Sequence, residues 1–559
     1  MKDVTNSTTK RKSSGKKHNI RWLYIPTLIG LAIYYYIVLP PIHYASPAFW
    51  MFLLIITAVI LLIELMADGF DVVTQLTENK QPAWSFNFKN LKIKGSKYAW
   101  MIGAWLILAL VAGVSYLIFS PLFFADNYSE MIQVERKDFA EDFPETDLSQ
   151  ITLVDRDTAQ RLGDRQLGAL TDLVSQFEAA DDYTQINIES VPYRVSPLEY
   201  AGFFKWLNNF RQGIPHYIKV HNVTGEVTLE TPPQTIKYSD ADLFHRDVLR
   251  RLRFEYPFSI FEQPSFEIDD EGNPYYIATT YTRNFFLREP EPSGVILLNA
   301  MTGETEDYDL DHIPDWVDRV YSADLILHQL QMKGHYSGGF WNALFAKNGV
   351  TQPTEGYNYL PMDDDLYLYT GITSVVADES NIGFMLVNMR TKDAVMYPLT
   401  AAEEFSAMRS AEGSVQETEY TATFPLLINI GGRPLYILTL KDNEGLIKEY
   451  ALIDAQNYQN VITAPNVQLL MQNYALENPV DETAILEATD LEEIEGRIEE
   501  IQAVVADGET VYYFMIDGTV YQADLALNDY LPFVESGDSV IFKATENGEV
   551  IELNVKQSN

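Results

Sequence analysis

Three long apolar runs crowd the first 124 residues, and they constrain the chain more than anything that follows. The first, Trp22 to Leu39, reads WLYIPTLIGLAIYYYIVL, 18 residues without a charge. The second spans about Pro47 to Ala67, with Glu64 as its only charge, close to its inner end. The third, about Tyr98 to Phe124, has none. About 20 helical residues cross a ~30 Å hydrocarbon core, so each run is long enough. One such run would suit a buried core helix equally well. Three in so short a stretch, with Trp and Tyr at their ends, predict three transmembrane helices.

The flanking charges give an orientation. The tail before the first run carries Lys2, Lys10, Arg11, Lys12, Lys16, Lys17 and Arg21, and the link between the second and third carries Lys80, Lys89, Lys92, Lys94 and Lys97. The link between the first and second, PPIHYAS, is uncharged. Short basic loops stay in the cytoplasm. Residues 1–21 are therefore expected to be a cytoplasmic tail touching anionic lipid, and 22–124 three spans with a cytoplasmic loop at 68–97. Everything after about Ala125 is then extracytoplasmic. The first run lacks a small-residue cleavage site and is longer than a usual signal-peptide core, so it stays attached.

Charge divides the chain at the same place. The whole sequence has 79 Asp+Glu against 40 Lys+Arg, yet residues 1–124 hold 12 basic and 5 acidic groups, and the excess of acid lies beyond them. So acidic an outer part excludes nucleic acid as the main partner, because phosphate binding needs local cationic surface. The chain has no cysteine, which excludes disulfides, thiol catalysis and cysteine-held metal or iron–sulfur sites.

Beyond Asp126 helical patterns alternate with aromatic and β-branched runs. Asp157 to Ala180 places Leu162, Leu167, Leu170, Leu173, Val174 and Phe177 mostly at helical spacing, and Pro197 to Phe210 reads as a second helix. A hairpin phrase then recurs: GIPHYIKVHNVTGEVTLE from 213, NPYYIATTYTRNFF from 273 with GVILLNAMTGETEDYDL from 294, and looser versions at 366–400 and 433–455. Thr224-Gly225-Glu226 and Thr302-Gly303-Glu304 are turn chemistry, with glycine supplying a positive φ between antiparallel strands. Units 60–90 residues apart predict repeated α+β modules over 125–480. After an acidic linker, five short strands with turns at Asp507-Gly508, Asp517-Gly518 and Asn547-Gly548 predict a small closed β-barrel within 481–559.

The hairpin phrase resembles the PepSY module of bacterial membrane-bound and secreted proteins. The likeness is best over 213–230 and 273–310. It implies small, non-catalytic α+β domains associated with restraint of proteases or regulation in the cell envelope. The C-terminal strand order, with Gly537-Asp538-Ser539-Val540-Ile541-Phe542, is similar to an OB-fold. OB-folds that bind single strands use aromatics on a cationic face. Residues 491–559 carry only Arg497, Lys543 and Lys556 as basic groups, so a protein-contact barrel fits better.

Candidate chemistry is sparse. No H-E-x-x-H and no His pair at i, i+4 occurs, and His216 and His221 point to opposite faces of a strand. In GHYSGGFWN from 334, Ser337 beside His335 approximates a nucleophile elbow, but a histidine stands where its first glycine belongs. The acidic stretches Asp269-Asp270-Glu271-Gly272-Asn273 and Asp363-Asp364-Asp365 could gather oxygens for Ca²⁺, but the first reads better as a hairpin turn and the second has no second cluster to complete it, so metal binding is left open. Arg246, Arg250, Arg251 and Arg253 form a basic run on a predicted helix, with Arg246 and Arg250 on one face, and are candidates for contact with an anionic ligand.

The expected architecture is a membrane-anchored α+β protein: three N-terminal spans, an antiparallel-sheet ectodomain of repeated modules and a C-terminal barrel. The expected function is non-catalytic binding, scaffolding or regulation at the outer face of the cytoplasmic membrane. Membrane lipid and an extracytoplasmic protein are the expected partners, and no catalytic residue or cofactor is assigned. The rivals are an envelope hydrolase or transferase and an accessory subunit of a transport or secretion complex.

Overall fold

In the computed structural model, residues 24–78, 95–146, 151–188, 190–285, 287–362, 364–478, 492–506, 509–527, 530–544, 548 and 550–556 are described. The basic tail and the acidic linker of the sequence reading lie outside them. The chain divides into two compact units. One holds the N-terminal helices with residues 252–260 and 282–289; the other holds the rest from Phe119 onward.

In the first unit the helices are Tyr24–Val38, Pro47–Glu78 and Gly95–Ile118. The second and third contain the apolar stretches Pro47–Glu64 and Trp100–Ile118, each of mean hydropathy 2.3. With 6% and 0% of these stretches buried, they are not core helices. Three spans are not what forms. The first helix has 15 residues, which at 1.5 Å per residue is about 22 Å and short of a hydrocarbon core. The cause is local: Leu39 turns to φ +50°, and Pro40-Pro41 cannot continue a helix. This short helix lies against the second, with Tyr34 stacked on Phe52 at 5.9 Å and the Tyr24 hydroxyl donating to the Glu64 carboxylate. The single charge of the second run thus has a partner.

Among the described residues the second unit contains six sheets, and each of the first four is preceded by a helix: Arg156–Gly168, Val248–Glu255, Ala323–Tyr336 and Glu404–Ser414, the second of which is shared between the units. The outer strands of these four sheets are Phe177–Ala179 and Val227–Glu230, Ser265–Ile268 and Thr305–Asp309, Thr351–Pro353 and Val134–Arg136, and Thr421–Ala422 and Val461–Ala464. Strand Val134–Arg136 adds in parallel to the third sheet, alongside Ala394–Met396. Two sequence expectations shorten here. The helix expected over 157–180 ends at Gly168 and the chain is a strand by Phe177, while 197–210 is a strand to Tyr200 and a helix only over Phe203–Asn209, broken at Gly202 with φ +94°.

The recurring phrase folds the same way each time. His221, Asn299 and Asn388 each close a six-residue turn to Glu226, Glu304 and Asp393, with backbone N–H to carbonyl distances of 2.9, 3.0 and 2.9 Å. The side chain of the first residue accepts from two backbone N–H groups ahead of it, as Asn299 Oδ1 does from Met301 and Thr302, both at 3.0 Å. Thr224, Thr302 and Thr391 then accept from the N–H two residues on. The fifth residue has φ +73°, +76° and +70°, which suits Gly225 and Gly303 and is imposed on Lys392. The fourth turn, Asp454 to Asn460, is one residue longer but keeps the acceptor, with Asp454 Oδ1 taking Gln456 and Asn457 N–H. Replacing Asn299 by alanine removes two hydrogen bonds and is expected to cost about 1–2 kcal/mol; the denaturation midpoint checks this, and an unchanged value would refute it.

Where the third and fourth sheets meet, Phe384, Tyr369, Tyr436, Leu427 and Ile428 are fully buried, each large apolar side chain contributing about 2–3 kcal/mol. Among the described residues after 491 there are six strands, not five, in two three-stranded sheets. The chain bends at buried Ile498, so that Glu492–Arg497 pairs with Ser539–Ala544 and Glu500–Ala506 with Glu509–Ile516. Alternation along Ser539–Ala544 sends Val540, Phe542 and Ala544 inward, and Phe542 meets the ring of Phe514 at 5.3 Å.

Candidate functional site

A cavity of about 340 Å³ opens where the first, third and fourth sheets approach one another. That is the size of a small-ligand site. Its polar wall comes from Asp155, Arg156, Asp182, Arg194 and Arg319, and its apolar wall includes Tyr357, Tyr359 and Phe424.

Arg194 lies on strand Val191–Tyr200 and is 7% exposed. Its guanidinium is fixed by three acceptors: the Val154 carbonyl at 3.3 Å, the Tyr183 carbonyl at 3.3 Å and Gln185 Oε1 at 2.9 Å. Burial lowers its pKa to about 10, with Arg319 and Arg156 pushing the same way as like charges, so it remains cationic at neutral pH. Asp155 is the N-cap of helix Arg156–Gly168, accepting from Thr158 N–H, and its carboxylate also binds Lys441 at 2.5 Å. Burial opposes its ionised form, but the Lys441 hydrogen bond and charge prevail and hold it below the ordinary value. Asp182 lies 3.5 Å from Arg156. Each acid at the rim therefore has a cation beside it.

Arg319 differs. Half-buried in the segment before helix Ala323–Tyr336, its guanidinium lies 5.6 Å from the centre of the Tyr359 ring. No hydrogen-bond acceptor reaches it among the described residues. Burial disfavours its charge, yet Tyr359 and Glu267 outweigh this and keep it strongly protonated. Glu267, 0% exposed, and Asp182 are the acids that act on it most, while Asp318, 1% exposed, interacts with Glu267. Burial pushes the Glu267 carboxyl up to about 7 against the pull of Arg319, and burial beside Glu267 holds Asp318 well above its ordinary value. Ser265 Oγ donates to Glu267 at 2.8 Å and Asn187 N–H to Asp318 at 2.6 Å, leaving the second oxygen of each carboxyl without a partner among the described residues.

A second buried acid lies at the head of helix Glu404–Ser414. Glu404 is 0% exposed and accepts from Asn381 Nδ2 at 3.0 Å and from the Tyr369 hydroxyl at 3.5 Å. The neighbouring Tyr436 hydroxyl donates to the Ala402 carbonyl at 2.7 Å. This network belongs to the core.

The residues singled out in the sequence fall elsewhere. Arg246 ends a 3₁₀ turn and Asp247 is extended before the helix begins at Val248, so Arg246 and Arg250 do not share a helical face. All four arginines donate to backbone carbonyls: Arg246 to Phe210, Arg250 to Phe244, Arg251 to Gly303 and Arg253 to Ser259. Ser337 follows the end of helix Ala323–Tyr336 and its hydroxyl donates to the Lys333 carbonyl, an ordinary helix-end bond that engages no histidine. His216 contacts Thr231 Oγ1 at 2.9 Å, and His221 serves its turn. Asp269 closes the hairpin at Asn273, and Asp365 pairs with Arg390 at 2.6 Å. Asp363 lies outside the described residues, among which no group of three metal-ligating side chains occurs. The signal that marks Arg194 in the sequence is a lone cation inside an apolar strand, VPYRVSPLEY; Arg319, in DWVDRVYS, has none comparable.

No protein-family profile and no curated protein matches the chain. Among solved structures, it is similar to an endo-arabinase from Bacteroides thetaiotaomicron VPI-5482, at 12% identity over 50% of this chain and 72% of that one, TM-score 0.14. It is also similar to an exo-1,5-alpha-L-arabinanase from a bovine ruminal metagenomic library, at 10% identity over 69% and 98%, TM-score 0.16. Likenesses this low carry no argument about fold or activity.

Proposed function

We propose that this chain is a membrane-anchored, non-catalytic binding protein of the cell envelope, with its sheets outside the cytoplasmic membrane. The observation that carries this reading is the pair of apolar helices whose membrane-length stretches bury almost nothing in the protein. The link between them holds Lys80, Lys89, Lys92 and Lys94. The positive-inside rule puts that link in the cytoplasm and the chain after Ile118 on the outer side.

The repeated helix-and-sheet units with their shared turn support the PepSY-like reading, and with it a role in restraining or regulating a protein partner. The C-terminal strand that bends at Ile498 to serve two sheets supports the OB-like one. Exposed Phe203 and Phe244 meet the Trp206 ring at 5.7 and 6.0 Å, and Arg246 lies 5.8 Å from the Phe210 ring, a combination suited to lipid headgroups.

Protease treatment of intact spheroplasts tests the topology. Digestion should remove the chain beyond residue 125 and spare a tag placed in the 79–94 link. Recovery of the intact chain in an alkaline wash would sink the anchor. Affinity capture with the full chain in detergent is expected to retain a stoichiometric protein partner.

A further inference from the structure

We propose that the cavity lined by Arg194 and Arg319 binds a small organic oxyanion, a carboxylate or a phosphate monoester on a ring-sized body. This goes beyond the scaffold role and does not depend on the protein partner. The chain is acidic beyond its membrane part, yet here three guanidinium groups converge on one cavity. The two carboxylates at its rim already have cations beside them: Asp155 binds Lys441, and Asp182 lies 3.5 Å from Arg156. Arg194 is held rigid by two carbonyls and an amide, so its position costs nothing further on binding. It spends three of five N–H donors this way, and Arg319 spends none on acceptors among the described residues.

A half-buried guanidinium without an acceptor among the described residues can give its donors to a ligand, and its planar fork matches two oxygens of one acid. The acids that act on Arg319 are Glu267, which is buried, and Asp182, which already lies 3.5 Å from Arg156. Burial favours the protonated form of Glu267, so it offsets less of the Arg319 charge than an exposed carboxylate would. The positive charge is therefore available to a ligand. The remaining wall is aromatic: the Tyr357 and Tyr359 rings lie 5.6 Å apart at 72°, and Phe424 faces the same space. Such surfaces suit the flat face of a sugar or a ring. A neutral ligand would leave the two cations unanswered, and a cation would be repelled by them.

The test uses the full chain in detergent, titrated by calorimetry and followed by thermal unfolding. Glucuronate, glycerol 3-phosphate and inorganic phosphate are the probes, with glucose as the neutral control. At least one oxyanion should bind saturably at millimolar concentration and raise the unfolding temperature, while glucose does neither. The first two probes separate a carboxylate ligand from a phosphate ester, and inorganic phosphate shows whether the ring-sized body matters. Arg319→Gln should weaken binding about tenfold or more, since it removes a charge-assisted hydrogen bond. Arg319→Lys should recover part of it, because charge returns without the fork. Tyr357, 38% exposed, gives a variant safe for folding, and Tyr357→Ala should weaken binding without lowering stability. If none of the three oxyanions binds, or if Arg319→Gln and Tyr357→Ala both bind as the parent does, the proposal is wrong.

Discussion

Replacing Glu404 by glutamine is expected to stabilise the fold at about pH 8, by on the order of 3 kcal/mol. Glu404 is 0% exposed, and burial pushes its carboxyl from an ordinary 4.5 up to about 7, with the Asn381 hydrogen bond only partly offsetting this. Between those two values the folded chain keeps a proton that the unfolded chain gives up. Stability therefore falls as pH rises through the window, and the full penalty is present above about 7. Glutamine has no proton to lose. Asn381 Oδ1, without a partner among the described residues, is an acceptor in the same network. Glu267, also raised to about 7, acts in the same direction, so the parent should be markedly more stable near pH 5 than near pH 8. Denaturation midpoints of parent and Glu404→Gln at both pH values measure this; equal pH slopes would refute it.

Gly334→Ala is expected to destabilise by about 2–3 kcal/mol, although alanine is the better helix former by about 1 kcal/mol. Gly334 lies in helix Ala323–Tyr336 where it presses on strand Thr351–Pro353. A Cβ there would stand 2.2 Å from the Thr351 carbonyl oxygen and 2.8 Å from its carbon. Backbone faces it, so no side chain can rotate away, and helix and strand must part. Gly413, in helix Glu404–Ser414, has nothing within 4 Å of the same position. Gly413→Ala should thus be neutral or stabilising. If both substitutions shift thermal unfolding alike, close packing is not why Gly334 is there.

The hairpins were legible because their chemistry is local: Thr224-Gly225-Glu226 and Thr302-Gly303-Glu304 state the turn in their own side chains. The C-terminal alternation was legible for the same reason. The first apolar run misled because hydropathy averages over residues, whereas Leu39 and Pro40-Pro41 end a helix at a point. One strand of the C-terminal domain was missed because the bend at Ile498 splits an unbroken β pattern into two pairings. The cavity was hidden for a deeper reason. Arg194, Arg319 and Tyr357 lie far apart in the chain and meet only when three sheets close, while the four clustered arginines that drew the eye are bound to carbonyls nearby in the fold.

The shared turn also bears on how such a chain assembles. Contacts closed across six residues cost little loop entropy and form in roughly 1–10 μs, far ahead of pairings between distant strands. Four sheets that each carry such a turn between their last two strands can start separately as the chain emerges. A lesion in one turn should then slow its own sheet without delaying the others. For a long, β-rich chain, early pairing also hides strand edges that would otherwise seek partners on neighbouring molecules.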